Sequence, residues 1–312
     1  AQVSNPPLDA MREELVTSTR AMIGTERNLF DETPEHCRQL MLKEPIITDE
    51  QLEQIRRIDT NGIRSTTLSI LFDPRRAGSL EEAVNRVCEE AARATEEGYS
   101  ILILSDRGVD AENAPIPSLL ATAAVHHHLI RLGTRTRVGL VLESGEPREV
   151  AHFALLLGYG AGAVNPYLAY ETVAKLARDG SLNGAPVEQA QAVYLRAVNK
   201  GVLKTMSKMG ISTLQSYRGA QIFEAVGLDQ ETIDRYFTWT PSRIGGVGMD
   251  VLEEEAKQRH MAAYGDRKVA AALDIEFGGQ YQWRRDGEVR KIADQAFAVG
   301  CFQLVAERRA GN

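Results

Sequence analysis

The chain has 312 residues, 43% of them apolar and 25% charged, a composition that buries a core and excludes a disordered or low-complexity polymer. Its 36 basic and 43 acidic residues leave a net charge of −7, the wrong sign for a general binder of phosphate backbones, so nucleic acid is not an expected partner. The three cysteines, Cys37, Cys88 and Cys301, are too scattered for a disulfide framework or a metal knuckle, and no apolar run approaches the ~20 residues of a membrane span, so the expected location is cytoplasmic, or plastid in a photosynthetic eukaryote.

In chain order, residues 1–60 read as a helical N-terminal segment. Asn5-Pro6-Pro7 precedes a charged helix from about Asp9 to Met22, Thr33-Pro34-Glu35 starts a second, and Thr48-Asp49-Glu50-Gln51 opens a third. The rhythm then changes. Thr67–Phe72 is a buried-strand candidate, and Ser79 opens a helix that stops at Gly98. The unit recurs as a strand over Ile101–Leu104 and a helix over Pro117–Leu132, then a strand over Val138–Leu142 and a helix over Glu146–Leu157. A short strand over Ala161–Val164 and a helix over Leu168–Arg178 complete the series. Strand–helix alternation demands a parallel sheet covered by helices. No Gly-x-Gly-x-x-Gly joins a strand to the next helix, so the expected fold is α/β: an irregular or incomplete (β/α) barrel-like parallel sheet with extra N-terminal helices. Beyond it lie a long helix over Pro186–Gly210, a helix over Tyr217–Ala225, a loop over Thr238–Gly248 and an acidic helix over Val251–Tyr264.

In a barrel, function gathers at the C-terminal ends of the strands. Here those ends supply Asp73, Arg75, Ser105, Asp106, Arg107, Glu143, Ser144 and Asn165, expected to face one rim together as a polar pocket or docking surface. The plainer reading is that the Asp and Ser side chains cap the following helices and Arg107 pairs locally. His126-His127-His128 points three ways around a helix and cannot converge on one ion, and His152 sits on another helix, so no metal is expected. Ser242–Gly248 resembles an anion cradle, but Asp250 and Glu253-Glu254-Glu255 come after it, which makes a tight turn the better reading. No Gly-x-Ser-x-Gly elbow is present, and the residues alone yield a fold and a rim without a reaction.

Longer strings carry a resemblance. Ile103-Leu104-Ser105-Asp106-Arg107-Gly108, Ala114-Pro115-Ile116-Pro117-Ser118, Val164-Asn165-Pro166-Tyr167-Leu168, Gln215-Ser216-Tyr217-Arg218-Gly219 and Ser242-Arg243-Ile244-Gly245-Gly246, together with Asn5-Pro6-Pro7-Leu8-Asp9, resemble the central domain of the glutamate synthase large subunit. The match runs over residues 1–288 as one domain, with 1–60 its helical N-terminal segment and 61–288 its βα units and connecting helices. Residues 289–312 form a divergent tail.

The resemblance implies a structural, ammonia-channelling connector of an enzyme that makes glutamate from glutamine and 2-oxoglutarate. Its implied partners are the amidotransferase and FMN-binding domains, and the FMN and iron–sulfur cluster belong to the latter, so no cofactor is expected in this chain. Residue 1 is alanine where the amidotransferase would carry its nucleophilic cysteine, and no catalytic, cofactor or metal residue is expected. Asn5, Asp73, Ser105, Asp106, Arg107, Glu143 and Asn165 are the candidates for the ammonia path or the domain interfaces. The alternatives are a free-standing barrel-like enzyme using the strand-end rim, with Asp73, Asp106 and Glu143 as its acids, and a subunit-docking module.

Overall fold

The computed structural model describes residues 6–265. The helix expected over 9–22 is one turn, α1 (Glu13–Val16). Thr17, Ser18 and Thr19 end it, because short hydroxyl side chains favour extended or capping backbone. Ser18 then bridges to Thr213, and β1 (Ala21–Ile23) pairs antiparallel with β2 (Leu40–Leu42). Between them the expected second helix is a 3-10 turn over Pro34–Cys37. The third begins where its sequence says: α2 (Asp49–Arg56) carries a capping box, with the Gln51 amide donating to Thr48 Oγ1 at 3.3 Å and the Thr48 amide donating to Gln51 Oε1 at 3.0 Å. A hairpin comes next. Asn61 and Gly62, at φ 51° and 77°, form the positive-φ turn that joins β3 (Asp59–Thr60) to β4 (Ile63–Ser69).

After β4 the alternation appears as expected, in a parallel sheet. β5 (Leu71–Phe72) leads to α3 (Ser79–Glu96), whose buried Leu80, Val84, Val87, Ala91 and Ala94 recur at helical spacing. Then come β6 (Ile101–Ser105), β7 (Ala114–Pro115, antiparallel to β5), α4 (Ser118–Arg131), β8 (Gly139–Glu143), α5 (Val150–Gly158), β9 (Ala163–Asn165) and α6 (Tyr167–Arg178). The strand order is β3-β4-β6-β8-β9, with all pairs from β4 to β9 parallel. Residues 45–47 run along the outer edge of β9, where the Val164 amide donates to the Pro45 carbonyl at 2.8 Å and the Ile47 amide to the Val164 carbonyl at 3.0 Å. All five residues of β6 and of β8 are buried, as both-face coverage of a parallel sheet requires.

The last third departs most from expectation. α7 (Val187–Lys208) is the long helix, but the helix expected over 217–225 is replaced by α8 (Leu214–Tyr217), which stops at that tyrosine. The Gly219 amide turns away to donate to the Gly158 carbonyl at 2.9 Å. β10 (Ala225–Leu228) and α9 (Gln230–Tyr236) come next, and the expected loop over 238–248 contains β11 (Ser242–Val247), paired parallel with β10. Gly246 explains why a glycine-rich stretch makes a strand here: a Cβ on it would lie 2.1 Å from the Gly227 carbonyl oxygen, so only glycine lets the two backbones meet. The final helix is α10 (Met249–Tyr264). Among the described residues no helix is long and apolar enough to cross a membrane.

Candidate functional site at the strand ends

Register places Ser69 beside Ser105, Ser105 beside Glu143 and Glu143 beside Asn165. These are the last residues of four neighbouring parallel strands, and residues in register share a face. A polar row therefore crosses the sheet above an apolar interior. The strip is covered by α2, whose ends reach its two sides. At one end Asn165 Nδ2 donates to Asp49 Oδ1 at 2.8 Å and to the Ile47 carbonyl at 3.2 Å. At the other Ser65 Oγ donates to the Arg56 carbonyl at 3.0 Å. A cleft of about 540 Å³ remains between helix and sheet.

Glu143, 3% exposed, is the centre of that cleft. Its Oε2 accepts from Ser105 Oγ at 2.5 Å and from Arg56 Nη2 at 2.9 Å, and its Oε1 from Arg107 Nε at 3.0 Å. Burial pushes its pKa up, yet the donors Ser105, Arg56 and Arg107 together outweigh burial and hold it below the usual glutamate value. Arg56 also donates to Thr67 Oγ1 at 2.7 Å and Glu53 Oε1 at 2.9 Å. Arg107 lies 3.8 Å over the Tyr167 ring. Asn165 is fully buried, with no partner for its Oδ1.

Asp106 lies one residue past Ser105 and so faces the opposite side of the sheet. It is 2% exposed. Ser144 Oγ donates to it at 2.6 Å and the Gly145 amide at 3.0 Å, and the Tyr167 hydroxyl also favours its ionised form. Burial without a cation raises its pKa to about 6, against the pull of those donors. The Tyr167 hydroxyl is pushed up in turn, by burial first and by Asp106 next.

The structure thus gathers these residues at one end of the sheet but divides them, with Ser105, Arg107, Glu143 and Asn165 on one face and Asp106 and Ser144 on the other, which corrects the expectation of a single shared pocket. Asp73 belongs to neither group: it is solvated, bonded to Arg75 at 2.8 Å and lowered to about 2 chiefly by that contact. Asn5 lies outside the described residues. Arg56 and Tyr167, which complete the two clusters, were not among the residues singled out from sequence.

The remaining candidates are structural. His126 Nδ1 accepts from Arg135 Nε at 2.9 Å, and burial, with Arg135 next, lowers its pKa to about 2. His152 Nδ1 accepts from the Glu149 amide at 3.3 Å and closes a cap on α5. Among the described residues no group of three or more His, Cys, Asp or Glu could hold a metal ion. At the glycine-rich segment the Asp229 carboxylate sits against Gly248, so the backbone there faces an acid rather than a bound anion.

Comparison with known proteins decides what this scaffold is. The family model of the glutamate synthase central domain matches residues 1–229. The chain belongs to the glutamate synthase central domain family. It is 45% identical over 288 residues to the glutamate synthase [NADPH] large chain of Bacillus subtilis, covering 92% of this chain and 18% of that one. It is 39% identical over 312 residues to the ferredoxin-dependent glutamate synthase of Pyropia yezoensis, covering 95% and 20%. The chain therefore spans about a fifth of the length of these relatives. Among solved structures, a flavocytochrome b2 aligns over 68% of this chain and 45% of that one at 19% identity with a TM-score of 0.35. A mandelate oxidase aligns over 68% and 91% at 13% identity with a TM-score of 0.34. That similarity is too low to carry the comparison of folds further.

Proposed function

We propose that this chain is the connector of a glutamate synthase, joining its amidotransferase and FMN-binding domains and lining the route of ammonia between them, with no catalytic step of its own. The observation that carries the reading is the commitment of the strand-end acids. Glu143 is saturated by Ser105, Arg56 and Arg107, Asp106 is bonded on the opposite face, and Asp73 is tied to Arg75 in solvent. Three acids facing three ways leave the free-standing enzyme alternative without a shared pocket. The surface supports docking: Met11, Leu15 and Phe30 on the N-terminal segment are 94%, 84% and 95% exposed, large apolar side chains that a partner domain would cover.

In this reading the consecutive strands β4, β6, β8 and β9 with their helices are the retained part of a (β/α) barrel. Flavin and iron–sulfur cluster reside in the other domains, and the location is cytoplasm or plastid. Asn5 at the ammonia path remains part of the proposal. In an intact synthase carrying this sequence, Met11→Asp with Leu15→Asp should leave glutamine hydrolysis in place and raise the glutamine consumed per glutamate formed several-fold. An unchanged ratio at full activity would sink the connector reading.

A further inference from the structure

α1 is fastened at both ends to the last turn of α7 and the residues just after it. Ahead of α1 the Leu8 amide donates to the Ser207 carbonyl at 3.0 Å, and behind it the Ser18 amide donates to the Ser212 carbonyl at 2.8 Å and the Leu214 amide to the Ser18 carbonyl at 3.2 Å. The short helix therefore lies across the C-terminal end of α7. Its Glu14 faces solvent, while Glu13 and Thr17, four residues apart and so on one side of the turn, are 5% and 6% exposed. Ser207, in the last turn of α7, is fully buried. Three oxygens of this seam have no hydrogen-bond partner among the described residues: Glu13 Oε2, Thr17 Oγ1 and Ser207 Oγ.

A carboxylate oxygen taken out of water without a donor is the costliest of the three to bury. The cations around it are engaged elsewhere. Arg12 pairs with Asp9 at 2.8 Å and Lys200 with Glu14 at 2.9 Å, both in solvent, and the exposed Lys204 and Lys208 give Glu13 Oε2 no hydrogen bond. What remains is a set of acceptors, one carboxylate and two hydroxyls, at the carbonyl end of a 22-residue helix whose dipole also favours positive charge. Hard oxygen ligands suit a hard cation, and one carboxylate balances a single charge, where divalent sites gather several. We propose that the seam between α1 and α7 binds one monovalent metal cation, of the potassium or sodium class, held by Glu13, Thr17 and Ser207. The ion fastens the N-terminal segment to α7, and the inference is independent of the ammonia route.

Thermal unfolding of the 312-residue chain at fixed ionic strength tests it, with potassium chloride or sodium chloride exchanged for choline chloride. One of the two metal ions should raise the midpoint by ~3 °C or more, saturating with concentration, and Glu13→Gln should abolish the rise while still unfolding cooperatively. Thr17→Val with Ser207→Ala keeps the carboxylate and should need at least tenfold more of the ion for the same rise, a comparison that stands even if Glu13→Gln does not fold. No rise with either ion, or an equal rise in Glu13→Gln, would overturn the proposal: the first would leave the three oxygens to ordered water, and the second would put the ion elsewhere on the chain. An unchanged ion requirement in Thr17→Val with Ser207→Ala would overturn it too.

Discussion

Glu143 and Asp106 are buried carboxylates on adjacent strands, with the Asp106 amide donating to the Glu143 carbonyl at 3.1 Å, yet their acidities move in opposite directions. Glu143 meets two guanidiniums and a hydroxyl, and its pKa falls. Asp106 meets a hydroxyl, a phenol and an amide, none of them charged, with the Glu146 carboxylate nearby, and its pKa climbs to about 6. Burial is comparable on the two faces of the sheet. The difference is the charge of the partners, and it separates an acid kept ionised from one poised to take a proton.

The largest expected effect comes from removing the charge that distinguishes the Glu143 face. Arg56→Met leaves that carboxylate with Arg107 alone, whose side chain is 45% exposed, and breaking a buried pair from one side costs about 3 kcal/mol. Urea unfolding at pH 7 measures it. A loss under ~1 kcal/mol would class the contact with surface ion pairs and erase the contrast.

The next effect is a pH slope. The folded state binds the Asp106 proton more tightly than the unfolded chain does, since about 6 exceeds the ordinary 3.8. Its contribution to stability is therefore full below ~4 and is lost as pH rises through ~6. Glu143 has the opposite sign: its contribution is present above the ordinary 4.5 and is lost as pH falls through the lowered folded value. Asp106→Asn should remove only the first of these, so the stability change from pH 7 to pH 4.5 should differ from the parent by about 2 kcal/mol. Identical slopes would show that Asp106 does not titrate in that window.

The smallest effect sharpens the Asp106 side. Ser144→Ala deletes the 2.6 Å hydroxyl donor, which should cost about 1 kcal/mol and move the Asp106 titration further up. Carbon-13 chemical shifts of the aspartate carboxyls against pH track it directly, and an unmoved titration would mean that the hydroxyl does not favour the ionised form.

Much of the framework was legible. The apolar runs at Ile101–Leu104 and Val138–Leu142 become β6 and β8 with boundaries off by one residue, and the Thr48–Gln51 box opens α2 as its spacing requires. One sign was present and unused: Asn61-Gly62 is a hairpin signal, and it starts β4 four residues before the strand read from Thr67. The split between the two polar clusters was also legible in principle, because Ser105 and Asp106, like Glu143 and Ser144, are consecutive and consecutive strand residues face opposite ways. The glycine-rich β11 was not, since glycine has no strand propensity and Gly246 is explained only by the backbone it touches.

By itself the sequence determined the alternation of strands and helices, the parallel sheet that alternation demands, and the polar residues that end each strand. These are consequences of short-range periodicity and capping, which need no partner far along the chain. Tertiary structure decided the rest. Arg56 comes to Glu143 across 87 residues and the Glu253 carboxylate reaches the Gly78 amide across 175, and nothing local marks either end of such a contact. Whether a strand-end acid is ionised depends on which charges arrive beside it, and those are delivered by elements that meet only once the sheet has formed beneath α2.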